Sequence, residues 1–240
     1  MRIRPPVAQA VSIRGTEGRL RGELEEVHEW SLAGQAAAGL AQVLLALPSR
    51  TWEGARDEAG SVLQLYAQQV IGIRVFRTIR AAMAVLEVGY EPEARALDRI
   101  LVELIAHRRT IQGDPSGEEA RLWLEGKRSR GITAKINAMQ PKDLYANLCQ
   151  EAHGDPRAVW RLCDEQSNSL MLGPQRRPLA ARSSLLMYAG TACDQTKLVA
   201  ALASFRISGL EELVEQVRSG WKRLSDDGDD AGLSPVEQTS

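Results

Sequence analysis

Apolar residues recur along most of this chain at the i, i+3, i+4 spacing of helices, and no strand pair with hairpin turn residues is visible, so the pattern predicts an all-α fold. A first helix runs from near Thr16 to Trp30 and is rich in Glu and Arg. Ser31 is placed to cap a second, which ends at Leu47 because Pro48 cannot continue it. Thr51 opens a long pattern reaching about Val88, apolar around much of its circumference between Val62 and Leu86; such a helix must be covered on several sides. Gly89 supplies a left-handed terminator and Pro92 a first-turn residue for the next helix, which runs to about Ile111.

Gly113-Asp114-Pro115 breaks the chain, and Ser116 with Glu119 matches a capping box that opens a short helix through Leu122 and Trp123 to Arg128. Two further short helices, Ile132 to Met139 and Lys142 to Ala152, are separated by Pro141. After His153-Gly154, Asp155 and Pro156 form the cap and first turn of another. A polar link from about Gln166 to Pro178 leads into a long Ala- and Leu-rich helix over 179–204. Ser208 with Glu211 makes a second capping box, and Leu210, Leu213, Val214, Val217 and Trp221 trace the apolar stripe of the last helix.

The expected architecture is therefore a single-domain, multi-helix bundle of about seven to nine helices over residues 16–224, built around 51–88, 92–112 and 179–204. A flexible arm (residues 1–15) precedes it. The acidic, small-residue segment from Ser225 to Ser240 offers nothing to offset the entropy of ordering it and is expected to be disordered.

The helix after Pro92 carries the most informative polar pattern: Arg95, Arg99, Glu103 and His107 fall four residues apart along an otherwise aliphatic segment. Leu97, Ile100, Leu101, Leu104 and Ile105 make one apolar arc, with Glu93 inside it and His107 on its border. Arg95 and Arg99 point away from that arc, on the side of Val102 and Ala106. If that side also meets protein, Arg99 and Glu103 form a buried ion pair; otherwise they are a solvated ladder.

Composition adds bounds. The 240 residues suffice for one sizeable core, and 30 basic against 31 acidic residues give no global electrostatic reason to expect nucleic acid or an anionic membrane. The basic residues are overwhelmingly Arg, which fits a GC-rich bacterial genome. Cys149, Cys163 and Cys193 are too few and too odd in number for a disulfide scaffold, and the N-terminus lacks a hydrophobic signal core, so a reduced cytoplasmic setting is expected. Ser31 to Pro48 is the longest uncharged run, but Gly34, Gln35, Gly39 and Gln42 interrupt it, and it reads as a buried or partner-facing helix rather than a membrane span.

Nucleotide-binding, metalloprotease and hydrolase signatures are absent from the sequence, so no cofactor or metal is expected, and whether the chain is an enzyme stays open. Cys149 and His153 share one face of a helix ending at Gly154, a spacing open to a metal pair, a thiolate–imidazolium pair, or a buried cysteine beside a histidine that caps the helix. The candidate site residues are Arg99, Glu103, His107 and His153, followed by Arg21 and His28.

Tyr90 to Leu97 through Arg99 and Glu103, then Leu144-Tyr145 and Ala152-His153-Gly154-Asp155-Pro156, resemble a widespread, uncharacterised family of all-helical bacterial proteins over roughly residues 60–205. The resemblance implies a helical bundle without an assigned reaction. More distantly, Arg21 with His28 is similar to the Arg-x(4–6)-His motif of HEPN-type helical domains from toxin and defence systems. That similarity implies a metal-independent ribonuclease, with His28 as general acid or base and Arg21 on the scissile phosphate across a dimer.

The expected function is a helical interaction or regulatory module related to defence or toxin–antitoxin systems. The alternatives are that ribonuclease, or a small-ligand pocket lined by Glu103, His107 and His153. A protein partner or a second copy is the first expected partner, then a small ligand, then RNA, with no membrane.

Overall fold

The computed structural model describes residues 6–47, 60–127, 178–203 and 207–230, with a few isolated positions between 134 and 170. These form an all-α bundle. In chain order its elements are α1 (Pro6–Glu25), α2 (His28–Ala46), α3 (Gly60–Glu87), α4 (Glu91–Gln112), α5 (Glu118–Leu124), the two-residue strands β1 (Cys163–Asp164) and β2 (Ser169–Leu170), α6 (Pro178–Leu202) and α7 (Leu210–Asp230). The strands pair antiparallel, Cys163 with Leu170 and Asp164 with Ser169, a short ladder that the helical periodicity did not predict.

Helix α6 is the hub, lying against α2, α3, α4 and α7, while α3 runs along α4. Small residues make this close packing feasible: Ala33, Ala36 and Ala37 of α2 and Ala181, Ala189 and Ala192 of α6 are all buried. Around them Leu32, Leu40, Ile71, Ile79, Leu86, Leu101, Leu185 and Leu186 are essentially inaccessible, each worth about 2 kcal/mol relative to exposure. Among the described residues no helix is long and apolar enough to cross a membrane.

Several boundaries differ from expectation. Helix α1 begins at Pro6, inside the stretch read as a loose arm; at a first helical position the ring presets φ and needs no N–H partner. The chain breaks at Val27, whose extended φ of −81° and ψ of 121° start α2 at His28. Ser31 therefore lies inside α2, where its hydroxyl accepts from Gln35 Nε2 at 3.0 Å instead of capping. Val27 and Trp30 both pack on the core, so tertiary burial fixes this break.

Gly89, at φ 89°, ends α3, and Pro92 stands in the first turn of α4, both as read from the sequence. The α5 cap is shared. Asp114 accepts from the backbone N–H of Ser116 at 3.1 Å and of Glu119 at 2.8 Å, while the Ser116 hydroxyl accepts from Glu118 N–H at 3.2 Å rather than from Glu119 as a capping box would have it. The bonds to Asp114, the Glu119 one foremost, hold its carboxyl below the usual range. Helix α7 follows Gly209 at φ 75° and extends to Asp230, six residues into the segment expected to be disordered. The helices expected over 132–139 and 142–152 and after Asp155 fall largely outside the described residues; of these, Ala134, Ile136, Leu148 and Cys149 are described, and they are helical.

Candidate functional site

On α4 the buried arc lies further round than the aliphatic pattern suggested. Ala94, Asp98, Leu101, Val102, Leu104, Ala106 and Arg108 are buried, whereas Ile100 is exposed. Val102 and Ala106 pack with Ile136 and Leu148, so the side opposite the main core does meet protein. Arg99 and Glu103 sit at the edge of that contact: Arg99 Nε donates to Glu103 Oε1 at 3.1 Å, with side chains 26% and 34% exposed. They form a pair, but not a buried one. Glu103→Ala is accordingly expected to cost under about 1 kcal/mol in urea unfolding; a loss of several would mean the pair is desolvated.

The strongest polar node is one the ladder hides. Asp98, 4% exposed, accepts from Tyr188 O–H at 2.6 Å and from the Ser184 hydroxyl at 2.9 Å, both on α6. Burial pushes its carboxyl up to about 6, against the pull of those two bonds and of nearby Arg95. The phenol of Tyr188 is raised well above its ordinary value, first by burial and then by the Asp98 charge. Its chemistry is that of a locked interhelical contact.

A second polar seam staples α3, α4 and α6. Gln195 Nε2 donates to Gln68 O at 2.8 Å, and Gln68 Nε2 to Arg108 O at 3.1 Å. Gln64 donates to the carbonyls of Ile111 and Asp114, which also accept from the backbone N–H groups of Asp114 and Gly117. Buried Arg108 reaches exposed Asp194 at 3.4 Å, and desolvation lowers its guanidinium from the ordinary value.

Open space lies elsewhere. At the corner of α3, α4 and α5, a recess of about 400 Å³ is lined by Val70, Arg74, His107, Trp123, Leu124, Gly126 and Lys127. The rings of His107 and Trp123 are 6.2 Å apart, inclined at 52°. Gly126, at φ 73°, closes α5, with its own N–H bonded to Trp123 O and that of Lys127 to Leu122 O, a left-handed cap that fixes Lys127 at the rim.

Charge in this recess is lopsided. Lys127 meets Glu125 at 2.8 Å, and Arg121, which reaches the same carboxylate at 2.8 Å, is itself paired with Glu118 at 2.5 Å, so these four charges balance. Exposed Arg74 has no ion-pair or hydrogen-bond partner among the described residues. The excess positive charge at the rim is therefore that of Arg74, beside the two aromatic rings.

The other expected site residues separate. Arg21 on α1 pairs with Glu87 at 3.0 Å. His28 opens α2 beyond the break, so the two-turn helical spacing that aligned it with Arg21 is interrupted. His28 instead lines a recess of about 440 Å³ with Val27, Glu29, Arg182 and Arg223, where buried Glu29 bonds Arg182 at 3.1 Å. His153 lies outside the described residues, as does any pairing of it with Cys149. Cys193 is buried, and its thiol is pushed up to about 11 mainly by desolvation, which suits packing rather than nucleophilic use. No cluster of three or more metal-ligating side chains occurs among the described residues.

Of the ladder residues, then, His107 lines this recess, and its companions there are Arg74, Trp123 and Lys127 instead of Glu103. No protein-family model, curated protein or solved structure matches this chain.

Proposed function

We propose that the chain is a helical recognition module whose ligand is a flat, negatively charged molecule of nucleotide size, held in the α3/α4/α5 recess. The observation that carries this reading is the combination of two aromatic rings with two cations, Arg74, which has no carboxylate partner among the described residues, and Lys127, which is paired with Glu125, around a space of about 400 Å³. Small-ligand sites have about this volume and pair apolar or aromatic walls with a few placed charges. Trp123 offers a face for stacking, Arg74 and Lys127 neutralise phosphate or carboxylate, and His107 adds a ring edge able to donate a hydrogen bond.

A binding role fits the surroundings better than catalysis. No nucleophile lines the recess, and the two carboxyl groups with the most specific hydrogen bonds, Asp98 and Asp114, serve an interhelical contact and a helix cap. The test is calorimetric titration of the full chain with mononucleotides, inorganic phosphate as the control. A mononucleotide is expected to bind in the micromolar to millimolar range, with at least about tenfold loss in Arg74→Gln, equivalent to about 1.4 kcal/mol. If no mononucleotide binds, or Arg74→Gln binds as the parent does, the recess is a surface irregularity and the reading fails.

A further inference from the structure

Beyond the recess, the open face of α3 is unusual for its charges. Helix α3 touches α1, α2, α4, α5 and α6, yet Ile73, Arg74, Arg77, Arg80, Ala81 and Ala84 remain exposed. That face contains three arginines and no acid. At 100° per residue Arg77 stands at its centre, with Arg74 and Arg80 about 60° to either side and each about 4.5 Å along the axis. None of the three has an ion-pair or hydrogen-bond partner among the described residues. Among the other described arginines, Arg19, Arg21, Arg99, Arg108, Arg121, Arg182 and Arg218 have carboxylate partners, whereas Arg109 on α4 and Arg223 on α7 stand singly without one.

Arg74 belongs both to this face and to the recess. Resting on the reading of the recess given above, we infer that the ligand is not a free mononucleotide but a single-stranded nucleic acid, one base of which enters beside Trp123 and His107 while Arg74, Arg77 and Arg80 hold successive backbone phosphates along α3. Three features favour a strand over an acidic peptide. The aromatic rings sit at one end of the cationic ridge, where a base needs a stacking surface and a glutamate side chain needs none. Arginine, with its planar fork of donors, suits phosphate oxygens. Glu103, one turn from His107 on α4, is already engaged by Arg99, so it does not present an uncompensated negative charge beside the rings.

The inference is tested by fluorescence anisotropy of a labelled oligouridylate of about twelve nucleotides, compared with calorimetry of uridine monophosphate on the same full-length chain. The strand is expected to bind at least about tenfold tighter than the mononucleotide, with log affinity falling against log salt at a slope of about −2, since three phosphate contacts on a single strand release about 0.7 counterion each. The double variant Arg77→Gln/Arg80→Gln should weaken the strand about tenfold and flatten that slope to about −0.7. These side chains are exposed, so the fold does not depend on them. Lys222→Gln, an exposed cation on α7, should leave the strand's affinity unchanged. If uridine monophosphate binds but the strand binds no tighter, the inference is overturned while the recess reading stands; if neither binds, both fall. Equal losses in Lys222→Gln and the double variant would mean diffuse charge attraction and overturn it. Displacement of the strand by polyglutamate, charge for charge, would overturn it in favour of an acidic protein.

Discussion

As pH rises from about 3 to about 7, the chain is expected to lose on the order of 3 kcal/mol of folding stability relative to its Asp98→Asn variant. The cause is the buried carboxyl. Asp98 has an ordinary value of 3.8 in an open chain and about 6 when folded, mainly because burial disfavours the charged form. The difference between 3.8 and about 6 corresponds to about 3 kcal/mol. With the folded value above the unfolded one, the favourable contribution is complete below about pH 4, where the carboxyl is neutral in both states. It is lost progressively as pH rises through about 6, where the native state must carry a buried charge.

Asparagine removes the titration and keeps the contacts: its Oδ1 still accepts from Tyr188, and its amide donates to the Ser184 hydroxyl oxygen, which is free to rotate. Urea unfolding of both proteins at pH 3, 4, 5, 6 and 7 reads the difference directly. A stability gap that does not change with pH would show that Asp98 ionises normally in the folded chain. Tyr188→Phe supplies an independent arm: without the 2.6 Å donor the carboxylate is stabilised less, so the parent's pH dependence should move to higher pH.

Asp98 also shows where sequence reasoning stops. A charged residue on an amphipathic helix is ordinarily solvated, and the four-residue ladder of Arg95, Arg99, Glu103 and His107 outlines a polar face that does not include it. Its two partners lie on α6, 86 and 90 residues later in the chain, a separation no local pattern encodes. Elements marked by backbone chemistry were readable. Gly89 and Pro92 bracket the α3–α4 turn because a left-handed residue and a preset φ are needed there, and the Ala- and Leu-rich segment around Tyr188 emerges as α6.

Ser31 misled because a good capping residue loses to the burial of Val27 and Trp30 a few positions earlier. The recess was half legible. His107 stands out by spacing, whereas Arg74, Trp123 and Lys127 come from two other helical segments and meet it only through folding.

What aligns those segments is a backbone contact between two glycines, and Gly117→Ala is expected to be among the most damaging single-methyl changes in the chain. Gly117 precedes α5 at φ 78°, and a Cβ there would lie 2.5 Å from the Gly60 Cα at the start of α3. From the other side, a Cβ on Gly60 would lie 2.6 Å from the Ser116 carbonyl oxygen. Both obstacles are main chain, so neither can swing aside as the end of a flexible side chain would. The left-handed φ adds about 1 kcal/mol and the forced separation about 1–3 more, for a total on the order of 3 kcal/mol.

Gly209→Ala separates the two terms, because Gly209 has nearly the same φ of 75° with nothing within 4 Å of the added methyl, and should cost only about 1 kcal/mol. Gly60→Ala isolates the collision, since its φ lies outside the left-handed region. Melting temperatures of the three variants decide the matter, with Gly117→Ala expected lowest and Gly209→Ala closest to the parent. Because α5 carries Trp123 and Gly126 closes it beside Lys127, any Gly117→Ala protein that stays folded should also bind ligand in the recess more weakly. Equal melting temperatures for Gly117→Ala and Gly209→Ala would show that the α3–α5 approach is not tight, and that something other than this glycine contact sets the position of Trp123.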